Sequence, residues 1–227
     1  TGSGTTIVAG GIAEGNSLEN TLDALRKVFL GNVTPTNFGR QTGDFGNLAF
    51  RNPFYQNMAE LTDAVQTAKS GGQTFQITPL TAFNATTINN AAKTDPNFGI
   101  AYRYALQELN PFAVLGANLA QTSTLYAQHN VDGALGLESE GGLLTAQYLQ
   151  DRAKFLEEKV LLDVADADVS NGNIHFVDRT TNYEIQTDSI ITTDQEFIFG
   201  SDASEVDIAG NSKSDHLYGA GGDDTLT

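Results

Sequence analysis

The last eighteen residues, GNSKSDHLYGAGGDDTLT, carry one small pattern twice in nine-residue phase. Gly210, Asp215 and Leu217 are followed nine places later by Gly219, Asp224 and Leu226. The stretch before them, GSDASEVDI, is a degenerate version with Glu205 near the aspartate position and a one-residue slip. Glycine allows the tight corner, the carboxylate supplies charge, and an apolar eighth residue suits the interior of a stacked coil. The pattern follows the nonapeptide G-G-x-G-x-D-x-U-x, with Gly219, Gly222, Asp224 and Leu226 on positions one, four, six and eight. Ala220 replaces the second glycine, and Lys213 stands where the earlier repeat needs one.

Charge is concentrated in the same region. Of the net charge of -16, residues 1–162 account for -4 and residues 163–227 for -12, where Arg179 and Lys213 are the only basic residues. A polyanion of this kind is repelled by nucleic acid and by anionic lipid, so neither is an expected direct partner. An uncompensated acidic segment is usually a solvated face or a disordered tail, and it can also be one whose partner is a cation. Zero cysteines exclude disulfides, thiolate metal sites and thiol nucleophiles. No apolar run approaches the roughly 20 residues that a membrane-spanning helix needs.

Upstream, the pattern is helical. Residues 1–16 read as a Gly, Thr and Ser-rich connector with one short strand at 7–9. Leu18, Leu22, Leu25 and Phe29 form one stripe after Ser17 and end at Gly31. A second helix is predicted to begin at Asn52-Pro53 and to carry Phe54, Met58, Leu61 and Val65 inward. The same cap chemistry recurs at Asn110-Pro111-Phe112, read as coincidence rather than duplication. Between them lie a strand over 75–78, a short helix over 85–93 and an apolar, central helix in FGIAYRYALQEL. The longest helix is predicted within residues 142–166. Beyond it the period changes to two, with Ile174 and Phe176, Tyr183 and Ile185, then Ile190, Phe197 and Phe199. The expected fold is therefore α+β: a connector (1–16), a helical bundle (17–165), short β-strands (166–199), and a glycine-rich acidic end (200–227).

Calcium accounts best for that end. It takes six to eight oxygen ligands, which glycine corners can offer as carbonyls and aspartates as carboxylates. The candidate ligands are Asp202, Glu205, Gly210, Asp215, Gly219, Gly221, Gly222, Asp223 and Asp224. Glycine and aspartate also make plain polar turns, but two repeats in phase and the acidic excess favour the cation.

Other constellations are weaker. Asn130, Asp132, Gly133 and Leu135 are spaced like part of an EF-hand loop, but Gln128 and Ser139 occupy its first and twelfth positions, so an ordinary turn is expected. Asp166, Asp168 and Ser170 are likewise read as a turn, and Asp95-Pro96 as a helix breaker. His129, His175 and His216 are read as surface histidines, with His175 pointing outward from its strand. No nucleophile elbow, H-E-x-x-H or phosphate-binding loop is present.

The tail resembles the calcium-binding repeats of bacterial RTX proteins. SLENTLDALRKVFLG, NPFYQNMAEL, IAYRYALQELNPFAV, LYAQHNVDG and YLQDRAKFL resemble the region that lies in them between a lipase-like α/β hydrolase domain and the repeats. The resemblance implies a parallel β-roll with two nonapeptides per coil and each ion between turns two nonapeptides apart. By that rule Asp224 would share an ion with the turn of Asp202 and Glu205, and Asp215 would need a turn beyond Thr227. It further implies a secreted or cell-surface protein, exported by a type I system and folding outside the cell as it gains calcium. The segment itself is then non-catalytic, with an upstream hydrolase-like domain and downstream repeats as partners in the same chain. The alternative is an accessory helical part of a secreted lipase-like hydrolase, with the catalytic residues upstream.

Overall fold

The computed structural model describes residues 17–34, 48–165, 174–181, 183–186 and 194–227. The expected connector strand at 7–9, the turn at 166–170 and Ile190 lie outside them. Among the described residues the protein is mixed α/β, with six α-helices and two small sheets. The described residues divide into two compact units, one ending at Ala153 and the other running from Lys154 to Thr227.

The first unit is mainly helical. Helix α1 (Ser17–Leu30) stops at Gly31, whose φ of +80° accepts the left-handed turn. It packs on α2 (Leu48–Ser70), where Leu22 and Phe54 make a small apolar cluster that Leu61 borders. Arg26 joins the same two helices by donating from Nη2 to Glu60 at 2.5 Å and from Nη1 to Asp23 at 2.9 Å. The predicted Asn52 cap is not where α2 begins, because the helix starts four residues earlier and runs through Pro53. A proline this near the start forfeits only one main-chain bond, that to the Ala49 carbonyl, so the helix continues past it. With 23 residues, α2 rather than the helix near residue 150 is the longest described.

Strand β1 (Phe75–Pro79) and α3 (Ala85–Thr94) lie as expected, and Asn84 caps α3 by accepting from Thr87 N at 2.9 Å. Asp95 ends α3 and then accepts from Asn97 N and Phe98 N ahead of α4 (Gly99–Gln107). The second Asn-Pro-Phe is a correction to the sequence reading. Phe112–Gly116 forms a strand, β2, antiparallel to β1, so this unit is not a pure bundle. All five β2 residues are buried, and a short continuous apolar run covered on both faces is stable as a strand whatever precedes it.

Helix α5 (Leu119–Tyr126) folds back over β2, and Tyr126 uses its hydroxyl twice, accepting from Val114 N and donating to Val114 O. Glycine at 116 is required there, because a Cβ would stand 2.6 Å from Thr122 N. Two arginines, Arg152 buried and Arg103 half-buried, satisfy helix ends. Arg103 donates to Ala92 O in α3 at 2.7 Å, and Arg152 donates to Leu106 O at 2.9 Å and to Gln107 O at the end of α4.

Helix α6 (Ala146–Ala165) crosses the unit boundary, and its second half carries the face of the other unit. Four strands form that unit's sheet: β3 (Ile174–Asp178), β4 (Tyr183–Gln186), β5 (Gln195–Phe199) and β6 (His216–Tyr218), in the order β4-β3-β5-β6. The β3-β4 pair is an antiparallel hairpin; β3-β5 and β5-β6 are parallel. Phe155 of α6 is fully buried and stacks on Phe176 at 4.8 Å, with Tyr183 and Phe199 each 5.9 Å away. Phe155→Ala should cost about 3–5 kcal/mol and Phe155→Leu less than half of that, read as the shift in urea unfolding midpoint of the strand unit.

Candidate metal centre

Residues 195–227 repeat one geometry at three corners. Each corner begins with a glycine and is closed five residues later by a carboxylate that folds back over it. A Cβ on Gly210 would lie 2.5 Å from Asp215 Oδ2, one on Gly219 2.5 Å from Asp224 Oδ2, and one on Gly200 2.9 Å from Glu205 Oε2. Asp215 Oδ2 also accepts from Asn211 N at 2.6 Å, and Glu205 accepts from Ser201 N at 3.0 Å and from its hydroxyl at 2.7 Å. The carboxylate thus takes main-chain donors inside the corner that have no strand partner.

The upper two corners stack because the Asp215 and Asp224 carboxylates also reach the main chain 19 residues earlier. Asp215 Oδ1 accepts from Glu196 N at 2.9 Å, and Asp224 Oδ1 accepts from Glu205 N at 3.0 Å. The strands keep the same offset, with Phe197 opposite His216 and Phe199 opposite Tyr218, and Gly200 N donates to Tyr218 O at 2.7 Å. Across the corner, Ile208 bridges Leu226 in parallel at an offset of 18. The nine-residue phase read from Gly210 and Gly219 is therefore kept, and the ten-residue step from Gly200 to Gly210 locates the slip.

The sequence-predicted residues fall into two groups. Asp202, Glu205, Gly219, Gly221, Gly222, Asp223 and Asp224 come together: a Cβ on Gly221 would lie 3.0 Å from Asp202 Oδ1, one on Gly222 2.9 Å from Ala203 O, and Asp223 N donates to Ser204 Oγ at 3.1 Å. Asp215 and Gly210 belong to the other side of the stack, with Glu196 and Thr227: Gly210 N donates to Thr227 O at 2.8 Å. Among the described residues, no group of three or more His, Asp or Glu side chains converges on one point that could hold a metal ion. Between corners 200–205 and 219–224 the Asp202 carboxylate lies against Gly221 and the Gly219 carbonyl against Gly200, both of them oxygen donors. That chemistry fits calcium rather than a softer metal.

Several participants carry no glycine-aspartate signature of their own. Glu196 stands nine residues before Glu205 and Ile198 ten before Ile208, so stepping the register back would find them. Ser201 and Ser204 serve as hydroxyl partners that short polar residues in a turn give no reason to single out. His175 corrects the expectation of an outward surface histidine. It is buried, with Nε2 2.7 Å from Glu184 and Nδ1 3.6 Å from Glu196, because the strands on both sides of β3 place carboxylates on its face. His216 is half-buried with its ring edge-to-face on Phe197, and His129 packs against Tyr104 at 4.4 Å, where burial lowers its pKa. The loop at 130–144 is a closed turn in which Asn130 Oδ1 accepts from Leu135 N at 2.8 Å.

The Ser201 hydroxyl, with smaller help from Arg179, holds the Glu205 carboxyl below its ordinary range. A depressed carboxyl favours the folded corner above the unfolded glutamate range and loses that contribution as pH falls through the folded value. Compared with known proteins, the chain matches no family model, no curated protein and no solved structure.

Ala220 sits at the second-glycine position with φ +67°, a left-handed conformation that costs a side chain about 1 kcal/mol. Ala220→Gly should therefore stabilise the end of the chain by a few tenths to about 1 kcal/mol, whereas Gly219→Ala should destabilise it by about 2 kcal/mol or more. Amide hydrogen exchange at Glu205 and Thr225 measures both.

Proposed function

We propose that residues 194–227 form the first coils of a calcium-stabilised parallel β-roll within a non-catalytic segment of a secreted, RTX-like bacterial protein. The observation that carries this reading is the recurrence of one glycine-to-carboxylate corner at 200–205, 210–215 and 219–224, with stacking at offsets of 18 and 19 residues. Two nonapeptides per coil is the periodicity the tail's resemblance implies, and the ten-residue first repeat explains the one-residue excess.

The apolar positions support the same reading. Ile198 and Ile208 are buried and Leu217 is half-buried, on the residues that face the inside of each coil, while Leu226 at the last level is 44% exposed. Over 163–227 the sequence sets 14 carboxylates against two basic residues. Like-charge repulsion then favours an open chain where divalent cations are scarce, as in the cytosol before type I export. Calcium, when bound, supplies the positive charge that lets those carboxylates approach. The chain's own contribution is to present Asp202, Asp224 and the carbonyls around Gly219 to Gly222 at one level, over a sheet already built on Phe155 and Phe176.

Calcium added to the chain should raise its thermal midpoint and its β signal in circular dichroism, with half-saturation at about 10⁻⁴–10⁻³ M. Magnesium should do neither at the same concentration, and Asp202→Asn with Asp224→Asn should move the midpoint at least tenfold higher. An unchanged spectrum and unchanged thermal midpoint up to about 10 mM calcium overturn the reading.

A second reading draws on the helical unit. Tyr55 and Met58, one turn apart on α2, and Ile77 on β1 are 55%, 43% and 54% exposed. Apolar side chains of that size suit a cover over an upstream hydrolase domain. On that account Tyr55→Ser with Met58→Ser should lower ester hydrolysis by the parent protein while leaving calcium-induced folding unchanged.

A further inference from the structure

The lower level of the stack contains a defect and a cation set against it. On the strand after the first corner, Thr225 N donates to Glu205 O at 2.8 Å and Thr227 N donates to Ile208 O at 3.0 Å. Two residues above span three below, so Val206 and Asp207 form a bulge that takes up the extra residue of the first repeat. Val206 is 81% exposed, and the Asp207 carbonyl is left out of this ladder. Arg179 meets it. Its Nη2 donates to Asp207 O at 3.0 Å and its Nη1 to Asp207 Oδ1 at 2.6 Å.

Arg179 is held where this can happen by the strand it follows. Its N–H donates to Phe199 O at 2.9 Å, and Thr180 Oγ1 donates to Gly200 O at 3.3 Å, so residues 179–180 form the step directly beneath the Gly200 corner. One main-chain carbonyl and one carboxylate oxygen are the donor types that a hard cation would take. A planar guanidinium with two parallel N–H groups reproduces that demand and cannot be lost by dilution. Its charge also reaches Glu205, the acid of the same corner.

We propose that Arg179 is a built-in counter-ion and positioning residue that holds the 206–208 bulge in register, so that the corner at 200–205 forms without metal and serves as the base on which the 219–224 corner then closes. This rests on the calcium reading for the upper corner only. The lower corner's independence of calcium is the new content.

The test uses the 227-residue chain and its variants Arg179→Gln and Arg179→Lys, each in EDTA and in 5 mM calcium on the order of ten times the expected half-saturation. Both partners of the ion pair are partly solvated, the side chains being 27% and 73% exposed, so the effect is moderate. In EDTA, Arg179→Gln should lower amide protection at Ser201, whose N–H donates to Glu205 within the lower corner, by about fivefold, with Arg179→Lys in between because it keeps the charge without the fork. Protection in α4 and β2 should not change, which separates this from a general folding defect. The calcium concentration for half-effect should rise about threefold to tenfold in Arg179→Gln. Equal protection of wild type and Arg179→Gln in EDTA overturns the proposal. A wild-type chain that ignores calcium overturns the proposed function instead, and the EDTA comparison still decides the role of Arg179.

Discussion

A carboxylate laid over a glycine five residues before it is the contact on which the second unit depends. At Gly210 and Asp215, and again at Gly219 and Asp224, the absent Cβ is what leaves space for the acid to reach the corner's own main chain. The second oxygen is then free to accept from the level beneath, from Glu196 N or Glu205 N. One side chain therefore shapes its turn and fixes the distance to the next. Register follows from this, because a shift of one residue would take every carboxylate off its glycine and every inner apolar residue to the outer face. The bulge at 206–208 is how a ten-residue repeat escapes that penalty, with the surplus thrown outward and tied down by Arg179.

The stack needs a floor, and the hairpin with the end of α6 provides it. Phe155 lies on Phe176 and within 5.9 Å of both Tyr183 and Phe199, so aromatic burial holds β3, β4 and β5 together without the acidic corners. The first unit solves a different problem. Its helices are short and several end inside the fold, where arginine rather than solvent meets their terminal carbonyls: Arg103 for α3 and Arg152 for α4. A buried guanidinium offers five N–H groups in a plane, enough to serve two carbonyls from a single side chain.

Much of this was legible. The stripe of Leu22 and its neighbours, the stop at Gly31, and the strands around Phe176, Tyr183 and Phe197 follow from local rules of spacing and turn chemistry. The nine-residue phase gave the glycine corners, and the tail's resemblance implied that the Asp224 turn meets that of Asp202 and Glu205. Errors arose where two local signals competed. Asn110-Pro111-Phe112 resembles the earlier Asn-Pro-Phe, yet the earlier one lies within a helix and the later one leads into a strand, because β1 offers Phe112 to Gly116 an antiparallel ladder. His175 alternates with Phe176 and so looked outward, but a strand with neighbours on both sides can be covered on both faces.

By itself the amino-acid order determined periodicity, sign of charge and the places where the backbone can bend, since these depend on residues within about ten positions of one another. Tertiary structure alone decided which carbonyls needed Arg103, Arg152 and Arg179, that Glu196 belongs with Asp215, and that His175 sits between two glutamates. Each of those pairings joins groups brought together by strand or helix packing, and a partner chosen by distance in space leaves no period in the chain to be read.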